Sequence, residues 1–458
     1  MKYKLQISEQ IGVVNMKANA KSYYIILVLL IILVLAIVFG FSRLQYIFDK
    51  NYSKYEDFLN KLPFFGNKEV DLSGNHDYKK IDEFKNQYPD IDVSYTVSLP
   101  QMGEVEDTAE SLKFDSLTKA EFSELFSALE YLPDVRTISF GNFGGENSFK
   151  SQDLLSLKTA YPEIGIDGNY EFYDKILYLS DSVVDINHIR LDDNGDEILA
   201  LAKCMPNLEF LDMDSCGVPN ERMAEIRDAL PNVKVVWRVW FGRNYTARTD
   251  VERILASKPP EGGMLRNHNV QTLKYCTDVK YLDLGHNGIT DISFVSEMKN
   301  LEVCIIGLNS WSDISPLSNC TKIEYLEIMD VRLDNLEPLR NMKDLKHLNA
   351  ANNLFLRDIS PLFDLNLERL WLGCMHNIPA EQIREFKKQF PDCRINTTVV
   401  DSMSQGWRLH ERYKELKETF GYFHSIIPYN FYWLDPLVQP QDMDDRVAFV
   451  YEMRALGE

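Results

Sequence analysis

Residues 279–300 read VKYLDLGHNGITDISFVSEMKN and residues 301–322 read LEVCIIGLNSWSDISPLSNCTK. Three further segments open at Ile323, Leu345 and Leu367, so five starts succeed one another at intervals of 22 residues. Each opens with the spacing LxxLxLxxN. The fourth place holds Leu282, Cys304, Leu326, Leu348 and Leu370, and the sixth holds Leu284, Ile306, Ile328, Ala350 and Leu372. Asn287, Asn309 and Asn353 fill the ninth place, where the other two segments carry Val331 and Met375. The second halves recur too, as Asp291-Ile292-Ser293, Asp313-Ile314-Ser315-Pro316-Leu317, Asn335-Leu336-Glu337-Pro338-Leu339 and Asp358-Ile359-Ser360-Pro361-Leu362. A fixed period of this length is the signature of stacked coils, each burying its apolar side chiefly against its neighbours.

The segments resemble the short leucine-rich repeats of bacterial internalin-type surface proteins, over roughly Val279 to Trp371. That resemblance implies an α/β leucine-rich-repeat solenoid with a parallel sheet on its concave face. It also implies that the ninth-place asparagine bonds backbone groups of the turn leaving each strand. Binding through the concave face is carried over with the fold; a particular ligand is not.

A longer unit precedes the regular ones. Apolar-Pro-x-apolar motifs surround Pro89, Pro133, Pro162, Pro206 and Pro231, each after an amphipathic stretch such as Ile81 to Tyr88, Phe122 to Leu132 or Arg222 to Leu230. Each leads into a β-rich run such as Val235 to Trp240. Proline cannot continue a helix, so the unit reads helix, turn, strand. The module returns where Ala380 to Phe390 leads through Pro391 into Cys393-Arg394-Ile395, which suggests one solenoid from about Val70 to Val400. The expected organisation is a cytoplasmic N-terminus (1–22), a transmembrane helix (23–41), a juxtamembrane stalk (42–68), an irregular long-unit region (69–278), regular repeats with a closing unit (279–400), and an aromatic-rich cap or tail (401–458).

The membrane expectation rests on YYIILVLLIILVLAIVFGF, Tyr23 to Phe41, nineteen residues without a charge. At about 1.5 Å per helical residue this reaches nearly 30 Å, roughly the hydrocarbon thickness. Lys17 and Lys21 precede it and only Arg43 follows closely, which holds the N-terminus in the cytoplasm and the repeats outside the cell or in a lumen. The apolar core is longer than a cleaved signal peptide's and lacks a small-residue cleavage site, so the segment reads as an uncleaved anchor.

The 458 residues carry a formal charge of -20, with 45% hydrophobic and 26% charged residues. Residues 1–50 hold six Lys or Arg against two acids, which leaves about -24 on the remainder. So acidic a surface repels phosphate backbones, and nucleic acid is not an expected partner. The seven cysteines show no CxxC pair or zinc spacing, and the eight histidines no HExxH pair. Cys204 and Cys216 are the pair least excluded from a disulfide, while Cys276 and Cys320, two coils apart, are too distant. No Walker loop, GxSxG elbow or dinucleotide fingerprint is present. Neither cofactor nor metal is expected, and an envelope hydrolase is retained only as the rival from another class. Asp192-Asp193-Asn194-Gly195-Asp196-Glu197 superficially resembles a calcium loop, but aligning Gly195 puts Arg190 and Leu201 where carboxylates are needed, so it reads as a helix start.

Along a strand successive side chains alternate faces, so the third, fifth and seventh places turn away from the core. Tyr281, Val303, Tyr325, His347 and Arg369 occupy the third place, Ile305 and Trp371 the fifth, and Met329 the seventh. These eight are the candidate ligand-binding residues: an apolar, aromatic patch of the kind interfaces use. The expected partner is a protein, or a glycan, held through this sheet in an interaction or adhesion role. A structural envelope scaffold is the alternative. Trp407, Tyr413, Leu416, Phe420 and Phe423 form a helical apolar stripe in the tail, expected to pack on the last coils or to fold back over the patch.

Overall fold

The computed structural model describes residues 69–241, 246–257, 264–398 and 406–420. The expected N-terminus, span and stalk (1–68) and residues 421–458 of the tail lie outside the described residues. Among the described residues no helix is long and apolar enough to cross a membrane.

The described residues divide into two compact units. In the first, 69–109 with 127–134, strands β1 (Glu69–Asp71) and β2 (Asp92–Ser94) pair in parallel around the helix Tyr78–Gln87. Asp77 caps that helix by accepting from the Lys80 amide, and Pro89 lies just past its end, where it cannot propagate it. β3 (Thr96–Leu99) and β4 (Gly103–Glu106) then form an antiparallel pair. Tyr95 is buried and donates its hydroxyl to the Tyr131 carbonyl at 2.8 Å.

The second unit, 110–126 with 135 onward, begins with β5 (Ser111–Phe114), β6 (Thr137–Phe143) and β7 (Gly165–Phe172) in parallel, and β8 (Lys175–Tyr178) antiparallel at the edge. Phenylalanines fill its core, with Phe122 and Phe143 stacked on Phe149 at 4.2 and 4.7 Å. β9 (Val183–Asp185), β10 (Phe210–Asp212) and β11 (Lys234–Val236) make a second parallel sheet. The acidic run 192–197 is a helix start: Asp193 accepts from the Gly195 and Glu197 amides ahead of the helix Asp196–Lys203.

Val235 to Trp240, expected as one β run, is two strands. The chain changes partner at Trp237, leaving β11 to form β12 (Arg238–Trp240), which pairs antiparallel with β13 (Thr246–Arg248). The buried Trp237 indole, bonded to Asn220 Oδ1 at 3.0 Å, pins that corner. The expectation of a single uninterrupted solenoid is corrected accordingly, since antiparallel pairs at β7–β8 and β12–β13 interrupt the parallel ladder.

The regular repeats form a seven-stranded parallel sheet: β14 (Arg253–Leu255), β15 (Tyr281–Asp283), β16 (Val303–Ile305), β17 (Tyr325–Glu327), β18 (His347–Asn349), β19 (Arg369–Trp371) and β20 (Arg394–Asn396). Leu282, Cys304, Leu326, Leu348 and Leu370 are partners rung upon rung, extended at the two ends by Ile254 and Ile395. The five leucine-position side chains are fully buried. Short 3-10 turns such as Ser315–Asn319, opened by proline at the first positions, return the chain to the next strand.

The turn after each strand repeats as strictly as the strand. His286, Leu308, Asp330, Asn352 and Cys374, all eighth in their repeats, have φ between 54° and 60°, the left-handed region that non-glycine residues enter at a cost. Ninth-place asparagines offset it: Asn353 donates to the Ile328 and Ala350 carbonyls and accepts from the Val331 and Leu333 amides. Its two acceptor bonds reach the coil whose own ninth residue is Val331, which is how that coil does without an asparagine. At the seventh place Gly307 lies against the neighbouring coil so closely that a Cβ would stand 2.9 Å from the Met329 carbonyl oxygen.

Candidate functional site

The third and fifth places of the repeats do lie together on one sheet face, because parallel in-register pairing puts equivalent residues side by side. They are not displayed to solvent. Val303, Ile305, Tyr325, His347, Arg369 and Trp371 are all buried, Met329 is at the edge of burial, and Tyr281 alone is partly exposed. What covers them is residues 406–420. Trp407, Tyr413, Leu416 and Phe420 join Leu255, Val303, Ile305, Tyr325 and Trp371 in one apolar cluster, with Tyr281 against its edge.

The cover begins with Trp407 and continues as the helix Glu411–Thr419, whose first turn His410 caps by accepting the Arg412 amide at 3.2 Å. Tyr413, Leu416 and Phe420 recur at three- and four-residue steps, so one stripe of the helix faces the sheet. Trp407 stands 5.4 Å from Tyr325 and 5.8 Å from Trp371 between ring centres. The described tail therefore reaches from β14 to β19 across the sheet face instead of capping the last coils. Phe423 of the expected stripe lies outside the described residues.

Charge reinforces the apolar fit. Glu327, buried in the floor, accepts from the Tyr325 hydroxyl at 2.6 Å and from Arg408 Nη2 at 3.3 Å. Glu324 pairs with Arg412. Arg253 Nη1 donates to the Thr419 carbonyl at 2.7 Å, and Arg369 Nη2 to the Trp407 carbonyl at 2.8 Å. Burial, then the adjacent Glu327 charge, drives the Tyr325 hydroxyl well above its ordinary pKa, so it stays a neutral donor. Burial, then the Arg369 charge, holds His347 down at about 3, so its imidazole is neutral. His347 and Arg369 flank the cluster, beside His410 and the Trp407 ring. Met329 stands apart from it, its sulfur 3.6 Å from Asn349 Nδ2.

Arg253, Leu255, Glu324 and Glu327 were missed as contributors. β14 lies 28 residues before β15, outside the 22-residue register, so no periodic signal marked it. Glu324 and Glu327 sit on β17 or beside it, and the arginines they meet lie more than eighty residues further along the chain, so no local spacing marked the pairs.

All seven cysteines are free thiols. Burial pushes those of Cys204 and Cys216 up to about 12, which keeps them protonated and inert. Among the described residues, no group of three or more His, Cys, Asp or Glu is placed to hold a metal ion.

Sheet register, turn geometry and asparagine ladder together define an α/β leucine-rich-repeat fold. No family model matches the chain. A stretch of 73 residues is 35% identical to cilia- and flagella-associated protein 410 of Mus musculus, covering 16% of this chain and 29% of that protein. The chain spans under a third of the length of the curated relatives it matches. Similar solved structures include internalin C2 of Listeria monocytogenes, at 21% identity and a TM-score of 0.28, covering 50% of this chain and 88% of that one. A leucine-rich-repeat protein of Leptospira interrogans is similar at 13% identity and a TM-score of 0.21, covering 62% and 93%.

Proposed function

We propose that this is a membrane-anchored interaction or adhesion protein, held by residues 23–41 with its N-terminus cytoplasmic, whose repeat sheet binds a protein partner outside the cytoplasm. The observation that carries the interaction reading is the occupancy of that sheet by an amphipathic peptide segment. A surface that seats aromatic side chains and pairs two arginines with Glu324 and Glu327 has the features by which proteins recognise helices. The anchoring reading is supported by the uncharged length of Tyr23 to Phe41 and the lysines before it.

The chain beginning at Asn51, immobilised and offered envelope proteins of its source, is expected to retain one specific partner. Tyr325→Ser and Trp371→Ser chains should lose it; their retaining it unchanged would remove the sheet from the interaction. For the anchor, the full chain should resist carbonate extraction and be cleaved by protease from the non-cytoplasmic side. Release by carbonate would overturn that part.

A second reading, an envelope scaffold whose tail is a permanent cap, is favoured by the complete burial of Trp407. Under it no partner is retained, and the tail and the sheet unfold together.

A further inference from the structure

The segment on the sheet fits it in two unequal ways. Its apolar side chains and its two arginines are matched, as described. Its polar contacts at one end are not. Trp407 Nε1, Arg369 Nη1 and His347 Nδ1 are each buried with no hydrogen-bond partner among the described residues. His347 and Arg369 are direct partners on β18 and β19, so the two nitrogens belong to one spot on the sheet. What covers that spot is the Trp407 ring, 4.2 Å from the Arg369 guanidinium carbon, and the His410 ring, 5.4 Å from His347; the Trp407 carbonyl bonds Arg369 Nη2 but not Nη1. A ring face attracts the cation but offers no lone pair. Buried polar atoms are nearly always bonded, so this end of the seat is built for something the tail does not bring.

The way the tail is attached explains how an imperfect occupant stays in place. Residues 406–420 belong to the same chain as the sheet, so their docking is intramolecular and does not depend on a free concentration. A weak fit is then enough to fill the groove, and a partner with a better fit can displace it.

We infer that residues 406–420 are an intramolecular occupant of a groove whose partner in trans is a helical protein segment of defined chemistry. That segment carries two basic residues, one on its helix facing Glu324 and one just before the helix facing Glu327, as Arg412 and Arg408 are placed. Its apolar stripe enters the floor formed by Val303, Ile305, Tyr325 and Trp371. It also places a carboxylate or amide oxygen against Arg369 Nη1 and His347 Nδ1, the two nitrogens that the Trp407 carbonyl and the Trp407 and His410 rings leave unbonded. This inference rests on the reading of the sheet as the contact surface and adds the partner's class and its competition with the tail.

The test uses the full chain in detergent micelles and a fluorescein-labelled peptide of residues 406–420 as the probe. Leu416→Asp, which puts a charge into the apolar stripe without touching the sheet, should unseat the chain's own tail. The peptide is expected to bind the Leu416→Asp chain at least tenfold more tightly than the unsubstituted chain, as read by fluorescence anisotropy. Adding Glu324→Arg should weaken that binding about tenfold, and a peptide carrying Arg412→Glu should restore it. Equal binding to the two chains overturns the inference, as does failure of the charge-swapped peptide to recover affinity. Loss of hydrogen-exchange protection in the sheet of the Leu416→Asp chain also overturns it, because the tail would then be part of the repeat core. A partner that binds with the tail still seated would end this inference and leave the interaction reading standing.

Discussion

Replacing Trp407 by alanine separates a docked segment from an integral one. The side chain is fully buried, with Tyr325 and Trp371 within 6 Å and the Arg369 guanidinium over its face. Truncating a buried aromatic costs about 3–5 kcal/mol. Removing an indole N–H that has no acceptor among the described residues offsets about 1 kcal/mol of that. About 3 kcal/mol is left to weaken docking. Strand-to-strand bonds such as Ile306 N to the Glu327 carbonyl, 3.0 Å, do not involve the indole, and in stacked repeats each coil is stabilised mainly by its neighbours. At about 1.4 kcal/mol per tenfold, amides of the helix Glu411–Thr419 should exchange about 100-fold faster in Trp407→Ala. Amides of Leu284, Ile306 and Ile328 should change less than about threefold. An equal loss in both sets would refute this reasoning, because helix and sheet would then open as one.

Three further outcomes are expected. Arg408→Ala leaves the carboxylate of Glu327, whose side chain is 2% exposed, without its cation and with the Tyr325 hydroxyl as its remaining described donor, and should cost about 3 kcal/mol of docking, whereas Arg384→Ala breaks the exposed pair with Glu381 and should cost under about 1 kcal/mol; chemical denaturation of both variants checks the contrast. Asn353→Leu removes four bonds to buried backbone groups at once and should lower the urea-unfolding free energy by at least about 3 kcal/mol, and a loss below about 1 kcal/mol would mean the turns do not need it. His347 has a folded pKa of about 3, below its unfolded value, so the stabilisation is complete above about pH 6.5 and declines as pH falls toward 3. Between pH 7 and pH 5 this amounts to about 2 kcal/mol, which His347→Phe should abolish in a thermal-melt series; an unchanged slope would exclude His347 as its source.

The repeat was legible because it is local and periodic. Leucine spacing at places one, four and six specified which residues meet rung upon rung, and the pairing of Leu282 through Leu370 follows that spacing. Helices before the prolines were legible for a related reason: loss of the amide donor acts within a turn of chain, and the helices Asn220–Ala229 and Ala380–Gln389 end two residues before Pro231 and Pro391. Where period fails, so did the reading. The split of Val235 to Trp240 depends on which strand lies opposite, and β14 joins the sheet at a spacing no repeat announces.

The sequence alone determined which side chains share the sheet face and that residues 407–420 carry an apolar stripe needing cover. It did not determine what covers what. Val303, Ile305, Tyr325 and Trp371 are as suited to a partner's side chains as to the chain's own Trp407 and Leu416, since apolar burial is non-directional. Only the tertiary structure decides between them, by placing Arg408 and Arg412 against Glu327 and Glu324 from more than eighty residues away along the chain. Ion pairing across that distance depends on where the tail comes to rest, and no spacing in the sequence encodes it.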